Sequence, residues 1–131
     1  MSQDDKSSTD QHTTVMIVED EVLVAMDLEA MLDGYGYGVL GPVATVEQAL
    51  ALLNQERPDA ALLDVSLKGN EWSSPVADAL REAGIPYLLM SAYGPSELEA
   101  SGLLKGTQNL GKPVVERQLV EALADVLTPS A

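Results

Sequence analysis

The chain has no cysteine, few basic residues and no long apolar run. The lack of cysteine excludes disulfides, thiolate chemistry and cysteine-based zinc sites, and it fits a reducing compartment. Seven basic residues stand against twenty-one acidic ones, giving a net charge of -14. This balance argues against nucleic acid and anionic membrane surfaces, because both are bound through Lys and Arg. No stretch has the length of a membrane span and the N-terminus lacks the apolar core of a signal peptide, so we expect a cytoplasmic protein.

The length of 131 residues predicts a single domain with one core. Residues 1–13 are polar and without apolar periodicity, which predicts a disordered tail. His12, the one histidine, falls in this tail, and we interpret it as a solvated residue rather than a catalytic one. The folded domain is predicted over residues 14–128, followed by a short tail at 129–131.

Short apolar runs alternate with segments whose apolar residues recur at helical spacing. The predicted strands are 15–18, 37–43, 60–64, 87–91 and 107–111. The predicted helices are 21–33, a second one ending before residue 57, a third from 75, a fourth within 95–103, and 114–127. The predicted inner face of the third helix consists of Val76, Ala79, Leu80 and Ala83. Five strands alternating with five helices predict an α/β fold with a parallel sheet covered on both faces.

Polar residues that can do chemistry follow these strands. Asp64 ends the third predicted strand, and Glu19 and Asp20 follow the first. Ser91 ends the fourth strand, and Lys112 follows the fifth. Because ligands of parallel α/β sheets bind at the carboxyl ends of the strands, we expect these side chains to form one site.

The acidic residues at this edge predict a metal site. Asp20 alone is explained by capping of the first helix, since acidic residues stabilise helix N-termini. Capping does not explain Asp64, which adds a further negative charge, and clustered carboxylates repel unless a cation neutralises them. Hard oxygen ligands from two or three positions, with room for water and phosphate oxygens, suit Mg²⁺.

A carboxylate beside Mg²⁺ can attack a phosphoryl group and form an aspartyl phosphate. The transfer then needs charge neutralisation on the phosphoryl oxygens. Lys112 can supply a cation and the Ser91 hydroxyl a hydrogen bond. Singly, Lys112 is explained as a surface lysine and Ser91 as a strand-end turn residue. Together at these strand ends, they predict a phosphoryl-accepting site around Asp64.

The chain resembles response-regulator receiver domains from residue 14 to residue 127. The motifs that carry the resemblance are Val18-Glu19-Asp20-Glu21, Leu62-Leu63-Asp64-Val65, Met90-Ser91-Ala92 and Lys112-Pro113. The resemblance implies a flavodoxin-like, doubly wound five-stranded parallel sheet with strand order 2-1-3-4-5 and five helices.

The same resemblance assigns roles to the site residues. Asp64 is the implied phosphoacceptor and Asp20 the direct Mg²⁺ ligand, with Glu19 acting through water. The backbone carbonyl of Ser66 completes the protein ligands of the metal.

The resemblance also implies that Ser91 is the switch hydroxyl and Lys112 the partner of the phosphate. The implied partner is a sensor histidine kinase or a histidine phosphotransferase. The protein is then a single-domain response regulator, a switch or a phosphate sink, that catalyses only its own phosphoryl transfer and hydrolysis.

Two positions depart from the common receiver pattern. Receivers commonly carry an aromatic switch residue three positions before the lysine, where this chain has Asn109. The segment Leu89-Met90-Ser91-Ala92-Tyr93-Gly94 resembles the variant motif of the "FAT GUY" receivers, often paired with histidine kinases of the HWE class. Tyr93 is the candidate substitute for the missing aromatic, and Ser66 and Tyr93 occupy positions that, in receivers, tune self-hydrolysis. Trp72 is predicted to pack over the start of the third helix.

Three alternative functions make different demands on these residues. A phosphorylation-independent interaction module, or pseudo-receiver, usually loses a phosphorylation residue, and here all are present. A haloacid-dehalogenase-like phosphatase needs an Asp two positions after the nucleophile, where this chain has Ser66. A flavodoxin-like FMN binder needs a Ser/Thr/Gly-rich phosphate loop after the first strand, where this chain has Glu-Asp-Glu. The oligomeric state and the cis or trans state of Pro113 are left open by the sequence.

Overall fold

The computed structural model describes residues 13–67, 71–91 and 108–128. Within these ranges six strands and four helices follow one another along the chain. In chain order they are β1 (Thr14–Val18), α1 (Val22–Gly34), β2 (Gly38–Val43), α2 (Val46–Gln55), β3 (Ala60–Asp64), β4 (Ser66–Leu67), β5 (Glu71–Trp72), α3 (Ser74–Glu82), β6 (Tyr87–Met90) and α4 (Glu116–Leu127).

Four of the strands form one parallel sheet in the order β2-β1-β3-β6. The predicted α/β fold is therefore confirmed, and the first four predicted strands take their predicted places. β1 pairs with β2 on one side and with β3 on the other. In the second pairing Val18 lies opposite Leu63, so the next residues, Glu19 and Asp64, emerge side by side.

The sheet has a core on each face. Successive residues of a strand point to opposite faces: Val15 and Ile17 pack with residues of α1 and α4, whereas Met16 and Val18 pack with residues of α2 and α3. All four side chains are fully buried, which contributes on the order of 2 kcal/mol for each large one. Burial on both faces explains why these strands are apolar throughout.

The predicted fifth strand is reduced to one bridge. Its described part, 108–111, makes one isolated parallel bridge to the sheet, between Leu89 and Asn109. Leu89 N donates to the carbonyl of Gln108 at 2.9 Å, and Leu110 N donates to the carbonyl of Leu89 at 2.8 Å. Leu110 is the buried side chain of this short polar segment, so little packing favours a longer strand. The predicted fourth helix, within 95–103, lies outside the described residues.

A short ribbon follows β3 and was missed by the sequence analysis. β4 and β5 pair antiparallel, with Ser66 opposite Trp72 and Leu67 opposite Glu71. Strands of two residues are too short for the alternating pattern by which strands are predicted. The ribbon lies between Asp64 and α3, and it therefore borders the predicted site.

Two helix predictions need correction. The inner face of α3 carries Val76, Ala77 and Leu80, whereas Ala83 is exposed because the helix ends at Glu82. The last helix begins two residues later than predicted, because the residue before it, Val115, has an extended backbone. None of the helices in the described ranges is long and apolar enough to span a membrane.

Gly41 is required by the edge of the sheet. Its φ is +93°, and a Cβ there would lie 3.0 Å from the carbonyl oxygen of Ile17 and from Val43 N. This contact lies at a register shift between β1 and β2, between Met16 and Val18. A side chain would therefore collide with β1 just before the acidic residues.

Candidate phosphoryl-acceptor site

Three carboxylates meet at the carboxyl ends of β1 and β3. Glu19 and Asp20 directly follow β1, and Asp64 is the last residue of β3. One carboxylate oxygen from each lies within 4.8 Å of the others. Glu19 and Asp64 are only 2% and 6% exposed, whereas Asp20 is half-buried. The adjacent parallel strands thus bring together acidic residues that are more than forty positions apart in the sequence.

Lys112 joins two of these carboxylates. Its Nζ donates to Oδ2 of Asp64 at 3.0 Å and lies 3.0 Å from Oε1 of Glu19. Glu21 is a more distant partner, with 3.9 Å between its Oε1 and the same Nζ. The Lys112–Pro113 peptide bond is cis, which answers the question left open by the sequence.

Within the part of the chain that the structure describes, one carboxylate oxygen of Glu19 accepts a hydrogen bond and the other does not. Its Oε2 accepts a hydrogen bond from Glu21 N at 3.0 Å. Its Oε1 is buried and faces Lys112 at ion-pair distance, but no donor among the described residues meets it with hydrogen-bond geometry. A buried, incompletely satisfied carboxylate oxygen beside two further carboxylates is an arrangement that a hard divalent cation fits.

Burial and charge shift the pKa of both ion-pair partners. Removal from water raises the pKa of Asp64 from 3.8 to about 7; the hydrogen bond from Lys112 opposes this shift and the charge of Glu19 adds to it. Burial alone would lower the pKa of Lys112, but Asp64 and Glu19 outweigh it and the pKa is raised. Without a further cation, the Asp64 carboxyl is therefore partly protonated near neutral pH.

A cleft of about 320 Å³ opens above this cluster. It is lined by Asp20, Glu21, Asp64, Ser66, Leu67, Ser91 and Lys112. Ser91 directly follows β6 and is 4% exposed, and Ser66 belongs to the ribbon after Asp64. The structure thus brings the predicted hydroxyl, lysine, acceptor and Ser66 to one cavity. Glu21 also lines it and was given no role from the sequence, although the third acid in Glu-Asp-Glu was the available clue.

Other predicted residues lie elsewhere. The Asn109 side chain accepts a hydrogen bond from Gly111 N at 3.1 Å, a local contact in the turn that precedes Lys112. Trp72 is 40% exposed in β5, opposite Ser66, and its packing over α3 stays a prediction. Tyr93 and His12 lie outside the described residues.

The family model described as "Response regulator receiver domain" matches residues 15–124. The chain belongs to this family. Receiver domains generally bind Mg²⁺, and the cluster of Glu19, Asp20 and Asp64 is the corresponding acidic group here.

Known receivers resemble the chain in sequence and in structure. It is 35% identical over 88 residues to the phyllosphere-induced regulator PhyR of Methylorubrum extorquens, covering 66% of this chain and 33% of that protein. The solution structure of SdrG from Sphingomonas melonis matches with a TM-score of 0.72 at 37% identity, covering 89% of this chain and 98% of that one.

A second solved relative is longer than this chain. The crystal structure of the anti-anti-sigma factor PhyR from Bartonella quintana matches with a TM-score of 0.77 at 30% identity, covering 92% of this chain and 49% of that one. This receiver thus spans only about a third to a half of the two PhyR proteins that it matches.

Proposed function

We propose that this receiver takes a phosphoryl group from a phosphohistidine onto Asp64 in a reaction that requires Mg²⁺. The observation that carries this proposal is the position of Lys112, whose Nζ lies 3.0 Å from both Asp64 Oδ2 and Glu19 Oε1. A cation so placed joins a nucleophile to a metal-binding carboxylate at the floor of an open cleft. A purely structural ion pair would not need the third carboxylate, that of Asp20, beside it.

Asp64 is the nucleophile in the proposed reaction. One of its carboxylate oxygens attacks phosphorus, and the new O–P bond replaces the P–N bond of the phosphohistidine. The electron pair of the P–N bond stays on the imidazole nitrogen. Asp64 is 6% exposed and reached through the cleft, so the donor must enter this cavity for transfer to occur.

The acidic cluster fits Mg²⁺. Asp20, Asp64 and the Ser66 carbonyl would hold the ion directly, and Glu19 would act through water. A bound Mg²⁺ would supply the positive charge that keeps Asp64 ionised and neutralises the phosphoryl oxygens. A divalent cation is needed there because the three carboxylates outnumber the one ammonium group. A dianionic phosphoryl group would otherwise be repelled.

Lys112 and Ser91 stabilise the transferred group. The ammonium group of Lys112 donates to a phosphoryl oxygen as charge develops on it, in exchange for part of its contact with Asp64. The Ser91 hydroxyl, which lines the same cleft, donates to another oxygen. Tyr93 and Asn109 are the proposed positions through which phosphorylation changes the surface of the domain.

An apolar face beside the cleft suits the approach of the donor. Val22, Leu23 and Met26 of α1 are 71%, 79% and 58% exposed. Leu23 and Met26 border a depression of about 610 Å³ that continues to Lys112 and Pro113. Exposed apolar side chains grouped next to a reactive site are typical of a protein-binding surface. We assign this face to the phosphohistidine-bearing partner, which is a histidine kinase, such as one of the HWE class, or a histidine phosphotransferase.

In the cell, this receiver acts as a switch or as a phosphate sink in the cytoplasm, with the folded domain at residues 14–128. It catalyses its own phosphorylation and hydrolysis and turns over no separate substrate. The nucleophile lacks the neighbouring general acid that a phosphatase would need, because Ser66 stands two positions after Asp64.

The test is the intact mass of the protein after incubation with acetyl phosphate, with and without Mg²⁺. We expect one phosphoryl adduct that forms only with Mg²⁺ and is absent in Asp64→Asn. The matched control is Asp59→Asn, which removes a carboxylate at the opposite end of β3 and is expected to retain the adduct.

An adduct that persists in Asp64→Asn would place the acceptor elsewhere. If neither acetyl phosphate nor a phosphorylated histidine phosphotransferase modifies the wild-type protein, the alternative of a phosphorylation-independent interaction module is favoured instead.

A further inference from the structure

Ser73 is a fully buried polar residue between the ribbon and α3. Its side chain is 0% exposed, and buried polar groups need partners. Its Oγ donates to the carbonyl oxygen of Val65 at 3.1 Å, and its backbone N–H donates to the same oxygen at 3.0 Å. One residue thus provides two donors to one carbonyl.

The Ser73 hydroxyl does not serve its own helix. Ser73 is the N-cap of α3, where serine usually accepts a hydrogen bond from the first turn, but it makes no such side-chain bond. The N-cap of α2, Thr45, shows the usual arrangement, because its Oγ1 accepts from Gln48 N at 3.0 Å. At Ser73 the hydroxyl is directed instead to the segment that follows the phosphoryl acceptor.

Val65 stands between Asp64 and Ser66, and both of its peptide groups are held. Its N–H donates to the carbonyl of Met90 at 3.3 Å, and its carbonyl accepts both donors of Ser73. A carbonyl oxygen has two lone pairs, so Ser73 satisfies it completely. With both peptide planes restrained, the direction in which the chain leaves Asp64 toward the cleft is set.

We infer that Ser73 is a positioning residue, which orients the Val65–Ser66 peptide so that the Ser66 backbone reaches the cation held by Asp64. This inference rests on the proposed function, because it requires the Ser66 carbonyl to be a metal ligand. Ser73 does not touch the metal or the phosphoryl group and acts through Val65. Residues that hydrogen-bond to a metal ligand commonly change metal affinity by about 10- to 100-fold when they are substituted, because they fix the orientation of that ligand.

The experiment compares Mn²⁺ affinity, measured from the free-ion signal in electron paramagnetic resonance, in wild type, Ser73→Ala and Ser74→Ala. Mn²⁺ is the probe and needs no phosphoryl donor. Ser74 is the matched control, because it is the next residue, is half-buried, and its side chain makes no hydrogen bond with the described residues. We expect Ser73→Ala to weaken Mn²⁺ binding about tenfold and Ser74→Ala to leave it unchanged. Equal affinities for the two variants would overturn the inference.

Ser73→Thr separates positioning from packing. It keeps both donors but adds a methyl group to a fully buried position, so we expect lower stability in urea with Mn²⁺ affinity close to wild type. Weakening of Mn²⁺ binding in Ser73→Thr as large as in Ser73→Ala would assign the effect to packing and overturn the positioning role.

The outcomes distinguish this inference from the proposed function. A wild-type protein that binds no Mn²⁺ and accepts no phosphoryl group contradicts the proposed function. A wild type that does both, with an unaffected Ser73→Ala, contradicts only the role of Ser73.

Discussion

Glu19 and Asp64 stand at the ends of strands that are paired on both sides, whereas Lys112 follows a segment joined to the sheet by one bridge. β1 and β3 lie in the middle of the sheet, and their side chains are buried on both faces. The segment before Lys112 buries one leucine and makes two backbone hydrogen bonds to Leu89.

This difference indicates how the site is assembled. The acidic half is a consequence of the sheet and would persist without a bound metal ion, at the cost of buried negative charge. The basic half depends on its own ion pairs, because the Lys112 ammonium group lies 3.0 Å from carboxylate oxygens of both Glu19 and Asp64. Substitutions on the two sides should therefore have different effects on stability and on chemistry.

The largest effect is expected from removing the ammonium group of Lys112. Lys112→Met should slow phosphorylation by acetyl phosphate about 100-fold, because a preorganised donor to the phosphoryl group is lost. The measurement is the rate of adduct formation by mass spectrometry. Arg117→Met, which removes an exposed positive charge from α4, is the control and should react like wild type. A similar loss of rate in both variants would show that net charge, not the placement of Lys112, matters.

The acidic half is tested by the pH dependence of stability. The pKa of Asp64 is raised to about 7 in the folded protein, so the folded state binds more protons than the unfolded state. The metal-free stability should therefore fall as the pH rises from about 4 to about 7. Asp64→Asn should be more stable than wild type by about 1–2 kcal/mol at pH 8, and the two proteins should be equally stable near pH 4.

Urea unfolding in the presence of a chelator measures this difference. Asp125→Asn, on the exposed side of α4, is the matched substitution and should not change the pH profile. Mg²⁺ should stabilise wild type selectively. A gain in Asp64→Asn that is the same at pH 4 and pH 8 would contradict the assignment of the pH dependence to this carboxyl.

The apolar face of α1 lies outside the charged cluster, so a substitution there should slow phosphoryl transfer only from the natural donor. Leu23→Ser should reduce transfer from a phosphorylated histidine kinase about tenfold, with no change in the reaction with acetyl phosphate. Leu23 is 79% exposed, so stability should change by less than about 0.5 kcal/mol. Tyr35→Ser, just beyond the far end of α1, is the control. Equal loss with both donors would show that Leu23 supports the site rather than the partner.

The smallest effect is expected in the turn before Lys112. Gly111 has a φ of +78°, and the nearest atom to an added Cβ is the Ser91 carbonyl oxygen at 3.9 Å. Gly111→Ala should therefore cost about 1–2 kcal/mol from backbone strain without a clash, and it should slow phosphorylation several-fold by displacing Lys112. Gly34→Ala, within α1 and with open space around it, should not destabilise. Stability is measured in urea, and an unchanged rate would mean that the ion pairs alone position the lysine.

Periodicity predicted most of the fold, and its failures have physical causes. β1, β3 and β6 are apolar throughout because they are buried on both faces, and their bounds were predicted to within one residue. The segment 108–111 has strand-like length but little to bury, so it makes one bridge. The ribbon of β4 and β5 is too short for any pattern to show, and it was missed.

The sequence by itself determined which groups stand at the strand ends and that they are the types a phosphoryl acceptor needs, because apolar runs and the polar residues after them are local properties. Only the tertiary structure decided that Lys112 joins Glu19 to Asp64, that the pKa of Asp64 is raised to about 7, and that the Ser73 hydroxyl is directed to Val65. These properties depend on burial and on neighbours from distant segments, which come together only when the strands pair.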